Sequence, residues 1–486
     1  MARYSDSASP DEAVLVETDD FALVYDRQNR AFRKKLWNSS TKSWTTKVAP
    51  YSALVAKDGS TVWAEDATGK TIASGESGVD DASVIQSALD AGGKVFIAAS
   101  EYLLSSHILI KQSNVHVEGT LSTVLKMIST DNAIRIDTTE KDLINIIIRN
   151  LKINGNKNNI PEGSYRDQAS LIFCTDSNNK IYNLQIENLN IGYCRHGATI
   201  RLRNVVGGFV RSCFIHDSGF ESGVTWRCDG IYVGNSNNII IEGNYIDNNT
   251  DVGIALDNNM KVVVGNNIIK DSYRNGLTVV NANDDLQLPE NIMIAGNVFE
   301  NNGRGGLSTI HILTDYTNKP QRINIAGNLI KKSGAQGIAI KRASHVSIRA
   351  NSIFLFNNSA CIELTDDNFN VNIEENTFTD ADWGVKVSGT GNSQLIIRKN
   401  KLLAISYHHP TENSGTATFS GNGTTTQFSI AHGLVSAPTK VLVTPMTADA
   451  ASDFYVTADD TNIYINYKSA PPSGTDNLKF SWYAEV

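Results

Sequence analysis

The sequence predicts an all-β chain: a parallel β-helix preceded by a small capping region and followed by a β-sandwich. Three observations predict it. A six-residue phrase recurs through the middle of the chain, a second short apolar strand recurs between its copies, and both stop after Leu403. The 486-residue length accommodates two or three domains.

The phrase reads IEGNYI at 241–246, VVGNNI at 263–268, IAGNVF at 294–299 and IAGNLI at 325–330, then IRANSI at 348–353, IEENTF at 373–378 and IRKNKL at 397–402. Its template is apolar, two variable residues, Asn, one variable residue, apolar. The asparagines fall at 244, 266, 297, 328, 351, 376 and 400, in steps of 22, 31, 31, 23, 25 and 24. Such a period marks a solenoid whose coils carry insertions, and it excludes a doubly wound α/β fold. Weaker copies at 148–153, 186–191 and 210–215 put Leu151, Leu189 and Cys213 in the Asn slot.

The alternation within each phrase has period two and favours β-branched residues, which is the pattern of strands. Asn, Asp and Gly clusters between phrases suit tight turns and left-handed backbone. A further strand recurs as GIYV (230–233), GIAL (253–256), GLTV (276–279), GIAI (337–340) and GVKV (384–387). Stacked coil on coil, these form parallel sheets with strands about 4.8 Å apart. The inward asparagines read as a structural ladder that satisfies buried backbone at one corner, without chemistry of their own.

A solenoid needs its ends covered. Residues 79–92, VDDASVIQSALDAG, place Val84, Ile85, Ala88 and Leu89 at helical spacing, with Asp80 or Asp81 as N-cap and Gly92 as the stop. Residues 1–75 read as a small β-rich region, in which Arg30–Lys35 is a solvated basic run. The β-helix is expected over 76–405. Past the linker LAISYHHPTENSG, residues 414–486 alternate cleanly in VLVTP, DFYVTADD, NIYINYKS and LKFSWYAEV, which predicts the sandwich, with His432 as a structural residue.

The capping helix followed by GGKVFIAASEYLLSSHILI resembles the opening of pectate-lyase-like proteins, a superfamily that includes phage tailspikes. The resemblance spans roughly 75–405 and implies a right-handed parallel β-helix that acts on glycans. The segment FSIAHGL…APTKVLVTP resembles C-terminal modules of tail fibres and glycan-active extracellular proteins, which implies trimerisation or sugar binding.

Composition narrows the partners. Hydrophobic residues make up 41% and charged residues 19%, which excludes a disordered chain, and the net charge of −8 argues against nucleic acid. No eighteen-residue apolar run is present, so no membrane insertion is expected. The opening MARYSDSASPDEAV lacks a signal-like apolar core, so an extracellular protein reached by another route, or a virion-associated one, is expected. The five cysteines, Cys174, Cys194, Cys213, Cys228 and Cys361, show no metal spacing and read as small buried hydrophobes. No metal or cofactor is expected.

Glycosidic cleavage needs two carboxyl groups, and a solenoid supplies them from neighbouring coils. Aligning coils on Gly230, Gly253, Gly276, Gly306 and Gly337 sets Asp229 just before the column and Asp251 one residue further back on the next coil. Their backbones are then expected roughly 6 Å apart. Each aspartate alone also suits an ordinary turn. Farther along the same strands, Arg201, Asp257, Asn281, His311 and Lys341 are expected to form a column of substrate contacts, with Asp257 roughly 16 Å from the Asp229 level. The insertion HDSGFESGVTWRCD offers His216 and Asp217, Glu221 as a reserve carboxylate, Trp226 as a stacking ring and Arg227 beside it.

The strings RCDGIYV at 227–233 and NTDVGIAL at 249–256 are similar to the two aspartate motifs of polygalacturonase-type glycosidases, which implies catalytic roles for Asp229 and Asp251. Two departures count against pectin hydrolysis: Val252 stands where that family has a further aspartate, and Asn275 where it has a histidine. The GxSxG, HExxH and P-loop motifs are absent, as is the DPHE-type motif of β-helix uronate epimerases. The expectation is an endo-acting glycoside hydrolase, a homotrimer, with Asp229, Asp251 and Glu221 as candidate catalytic groups. Arg201, Trp226, Arg227, Tyr232, Asp257, Asn275, His311 and Lys341 are the candidate substrate contacts. The alternatives are a non-catalytic glycan-binding spike or adhesin, and a polysaccharide lyase drawing on Arg201, Tyr232 and Lys341.

Overall fold

A computed structural model describes residues 51–159, 170–220, 228–281 and 288–486, and, without side chains, strands Glu12–Glu17, Phe21–Asp26, Ala31–Asn38 and Ser43–Lys47; the Asn357 side chain is also outside the description. The first four strands form an antiparallel sheet in sequence order. The chain divides into two compact units, residues 1–273 and 274–486. Both contain the same coil, so the fold is a right-handed parallel β-helix, with additional antiparallel sheets at the C-terminal end.

Each coil has three strands, and Asn237–Glu242, Tyr245–Asn249 and Ile254–Asp257 make one example. Alternation buries every second residue. Val117, Ile148, Ile186, Val210, Ile241 and Val264 share one inward column, one per coil, and none of the six is exposed. One residue further along, the outward column runs Glu118, Arg149, Glu187, Arg211, Glu242 and alternates in sign. Arg149 and Glu118 lie 3.2 Å apart, and Arg211 and Glu187 2.8 Å. Opposite charges facing across strands stabilise the stacking modestly.

The asparagine ladder is present, with one correction. In the N-terminal unit Asn244 donates its backbone N–H and its Nδ2 to Oδ1 of Asn267, both at 2.9 Å, so the ladder residue is Asn267 and not Asn266. The repeat there is VGNNII rather than VVGNNI. Asn266 sits at the turn itself with φ 55° and turns its side chain out toward Glu242. In the C-terminal unit Asn297, Asn328, Asn351, Asn376 and Asn400 repeat the Oδ1 bonding at 2.9–3.0 Å. Leu151, Leu189 and Cys213 fill the same corner in earlier coils and are buried.

The capping helix spans Asp81–Asp90 and buries Val84, Ile85, Ala88 and Leu89. Asp80 is its N-cap residue, but its carboxylate accepts from the Glu76 N–H instead of capping the helix. Asp81 is fully buried and gathers Lys57 Nζ at 2.9 Å and the N–H groups of Leu103 and Gly78. Just before it, strand Ala53–Asp58 pairs parallel with Lys94–Ile97 and antiparallel with Thr61–Asp66, so residues 53–76 extend the first sheet of the helix.

At the C-terminal end, Glu412–Gly421, Gly474–Glu485 and Lys440–Pro445 form one three-stranded sheet, and Gln427–Ala431, Asn462–Tyr467 and Phe454–Ala458 the other. Phe428, Ile465, Leu478, Phe480 and Trp482 form the core between them. His432 is fully buried there, its Nδ1 accepting from Leu434 N–H and its Nε2 3.0 Å from Asp459 O, which is the structural role expected.

Candidate functional site

The third-strand stack of the N-terminal unit carries the aspartate pair. Ile231 pairs with Ile254, Gly230 N–H donates to Val252 O at 2.9 Å, and Ile231 N–H to Gly253 O at 3.0 Å. Asp229 is therefore level with Val252, and Asp251 is level with Cys228, whose carbonyl accepts the Asp251 N–H at 3.1 Å. The aspartates stand on adjacent coils offset by one residue, and both are partly exposed. Gly230 is required at this corner, because a Cβ there would lie 2.6 Å from Gly253 O and 2.8 Å from Ile246. One oxygen of Asp229 is committed: Oδ1 accepts the Val252 N–H at 3.0 Å.

Along the same strands the outward face holds a rigid polar and aromatic array. Phe173, Arg201, Tyr232 and Ala255 share one column. The Arg201 guanidinium is 5.3 Å from the ring centroids of both Phe173 and Tyr232, and lies 3.1 Å from the Asp176 carboxylate. Arg203 meets the same carboxylate at 3.1 Å. Such stacking and pairing hold Arg201 in one orientation although it is almost fully buried. Tyr232 Oη donates to Asp257 Oδ2 at 2.9 Å. Burial, and then the negative charge of Asp257, push the Tyr232 hydroxyl above its ordinary pKa. The ring reaches Asp257 by lying across Gly234, where a Cβ would sit 2.9 Å from the Tyr232 hydroxyl.

The far column is corrected. Asp257 is level with Gly234 and Arg203, two residues beyond the Arg201 level. In the C-terminal unit His311 is level with Ala339 and Glu363, whereas Lys341 is level with Leu313. The expected column failed because Arg201 and His311 sit one pleat period earlier in their strands than Asp257 and Lys341. His311 is held down to about 4 by burial and by the positive charges of Lys341 and Arg274, against the opposing pull of Asp315. Lys341 is bound to Asp315 at 3.0 Å. Asn275 is buried and donates to Ser308 O at 2.6 Å, so it is spent on the backbone of the next coil instead of being presented as a substrate contact. Asn281 is also buried, donating to Asn318 O. Glu221, Trp226 and Arg227 lie outside the described residues.

Sequence reasoning missed Phe173, Asp176 and Arg203. Their signal was available: IFCTD ends on an aspartate two residues past its strand, and Arg201 and Arg203 alternate on one strand face.

A family model described as right handed beta helix region matches residues 106–315, and one described as periplasmic copper-binding protein (NosD) matches 212–435. Among solved structures, the A-module of the Azotobacter vinelandii mannuronan C-5 epimerase AlgE6 is similar over 68% of this chain and 91% of its own, at 21% identity and TM-score 0.58. The AlgE4 A-module from the same organism is similar over 69% and 94%, at 20% identity and TM-score 0.54. The tailspike protein of E. coli bacteriophage HK620, in complex with a pentasaccharide, covers 84% and 90% at 12% identity and TM-score 0.49. No curated protein matches the sequence. These likenesses show that the chain has the right-handed parallel β-helix fold. The residues present do not fit copper: among those described no three His, Cys, Asp or Glu side chains gather to hold a metal, and burial pushes the thiols of Cys174, Cys213 and Cys361 up to about 12, away from the thiolate a metal needs.

Proposed function

We propose that the protein acts on a polysaccharide outside the cytoplasm, cleaving it within the chain as a glycoside hydrolase. One observation carries this reading: two carboxylates on adjacent coils, offset by one residue, adjoin a fixed Arg201–Tyr232–Asp257 array on one strand face. In the proposed mechanism Asp251 donates the proton to the leaving oxygen. Asp229, with one oxygen already accepting an N–H, acts as the anionic partner that activates water or attacks carbon. Arg201, Tyr232 and Asp257 hold neighbouring sugar units by their hydroxyl or carboxyl groups. The mannuronan in the names of the two epimerase A-modules agrees with this substrate class. Glu221, Trp226 and Arg227 remain proposed contributors, and a homotrimer is the proposed assembly.

A second reading has its own observation. The bond from Val252 N–H to Asp229 gives that carboxylate a purely structural use, and a glycan-binding spike needs no more than the array beside it. Reducing-end release across a polysaccharide panel, with absorbance at 235 nm followed in parallel, separates the readings for wild type, Asp229→Asn and Asp251→Asn. New reducing ends without absorbance, lost in both variants, are the expected result. Absorbance indicates a lyase, binding without cleavage indicates the spike, and cleavage unaffected by either substitution overturns the assigned pair.

A further inference from the structure

The second-strand stack of the N-terminal unit carries a constellation outside that site. Phe214, Tyr245 and Ile268 share one outward column, one residue per coil. Phe214 is 38% exposed and Ile268 41%, and Tyr193 beside them is 37% exposed. Two residues further along, the next outward column runs Gly192, His216, Asp247, Lys270.

These side chains are fixed before any ligand arrives. The His216 ring lies nearly parallel to Phe214 at 4.2 Å and meets Tyr193 edge-on at 5.2 Å, while Phe214 and Tyr245 meet edge-on at 5.4 Å. Gly192 is the floor beneath the imidazole, since a Cβ there would approach its Cε1 and Nδ1 to 3.0 Å. His216 Nδ1 is 2.9 Å from Asp217 and its Nε2 2.9 Å from Asn190 Oδ1, and Asn248 donates to the other Asp217 oxygen at 2.8 Å. The Lys270 ammonium stands 3.5 Å from Asp247, 3.8 Å from Asp271 and 5.5 Å over the Tyr245 ring.

An exposed ledge of rings bordered by pinned acceptors has the chemistry of a sugar site. The C–H face of a pyranose packs on an aromatic ring, its hydroxyls donate to carboxylates, and pre-fixed side chains lose little freedom on binding. The ledge advances one residue per coil, about 4.8 Å, close to the length of one unit in an extended polysaccharide. Asp217, Asp247 and Asp271 outnumber the ammonium groups of Lys270 and of Lys157, which acts on Asp217, so a polyanionic chain is disfavoured. We propose that this ledge is a second glycan-binding site that takes an uncharged pyranose segment, with Phe214 and Tyr245 as the stacking platform and Asp217 and Asp247 as hydroxyl acceptors.

The test is titration calorimetry of the full chain with cellohexaose, maltohexaose, mannohexaose and N-acetylchitohexaose, with hexagalacturonate as the anionic control. The expected result is binding of at least one uncharged hexasaccharide, weakened tenfold or more by Phe214→Ala and Tyr245→Ala and severalfold by the near-isosteric Asp247→Asn, and unchanged by Ile240→Ala, an exposed position on the first-strand face. Thermal melts of each variant establish that the fold is retained, and Asp247→Asn serves where an alanine variant fails to fold. Binding of none of the uncharged hexasaccharides, preference for hexagalacturonate, affinity indifferent to Phe214, Tyr245 and Asp247, or an equal loss in Ile240→Ala would each overturn the assignment.

Discussion

Gly234→Ala tests whether the Tyr232–Asp257 contact is built into the strand face. The added Cβ would lie 2.9 Å from Tyr232 Cε1 and Oη and 3.2 Å from Cζ, so the ring must move. It is pinned on one side by Asp257 at 2.9 Å and on the other by Arg201 at 5.3 Å. A hydrogen bond to a charged partner contributes about 1.5–3 kcal/mol, and a partly buried cation–π contact about 1 kcal/mol. Displacing the ring from both is therefore expected to cost about 2–4 kcal/mol, while Tyr232→Phe, which keeps the ring in place, costs only the hydrogen-bond share. Urea unfolding followed by circular dichroism measures each variant. Adding Gly234→Ala to a Tyr232→Ala background, where no ring remains to strike, is expected to change stability by less than about 0.5 kcal/mol, and the difference between backgrounds isolates the contact. If Gly234→Ala alone were neutral, the ring would not be held as described and the fixed array would lose its support.

Asn351→Ala removes the acceptor for Asn328 N–H and the donor to Ile325 O, both buried, and is expected to cost about 3–5 kcal/mol. Asn400→Ala, at the partly exposed end of the ladder, is expected to cost about 1–2 kcal/mol, since water can replace the lost partner. Comparable losses at the two positions in urea unfolding would contradict the ladder argument. Asp81→Ala leaves Lys57 and two N–H groups unpaired beneath the capping helix, with an expected loss of about 3–5 kcal/mol, read as a drop in melting temperature. His408 accepts the Val385 N–H on Nδ1, and burial, with His409 adding to it, holds the ring down to about 4. The proton then binds the unfolded chain first, so the stabilisation is complete above about pH 6.5, declines as pH falls from there to about 4, and amounts to about 3 kcal/mol. A melting profile between pH 7 and 4 that is as steep in His408→Gln as in wild type would remove His408 as its source.

The coil was legible because its determinants are local. Each IxxNxΦ phrase, where Φ is apolar, carries its own strand, corner and re-entry, so seven copies in one chain specify the stack before any long-range contact is known. The slip from Asn267 to Asn266 shows the limit of that legibility: two consecutive asparagines fit the template, and only the backbone decides which turns inward and which takes positive φ. Site residues were less legible. Asp229 and Asp251 were aligned by counting from a glycine column, and that count survives between Gly230 and Gly253, which no insertion separates in register, but not at Gly306, since Thr309 stands level with Gly276 and Gly337. The far column did not survive, because a two-residue offset along a strand leaves the outward facing unchanged and so cannot be read from alternation. Phe214, His216 and Asp247 were invisible as a group, being brought together only by the stacking of coils 26 to 31 residues apart.

Val252 is where fold and chemistry meet. Polygalacturonase-type sites resemble this stretch except for a further aspartate at that position, and the structure gives a reason for its absence here. Val252 is buried at 6% exposure and level with Asp229, whose carboxylate holds the Val252 N–H. A carboxylate placed there would be desolvated and would face Asp229 directly across the strands, where like charges repel. Asp229 is a partner of the chain's own backbone, and Asp251, one residue back on the same coil as Val252, is the proposed second acid. Any catalysis at this corner must therefore run on two carboxylates with a one-residue offset. The stereochemical outcome then rests on their side-chain separation, which a third acid at residue 252 would disturb by displacing Asp229 from the N–H that fixes it.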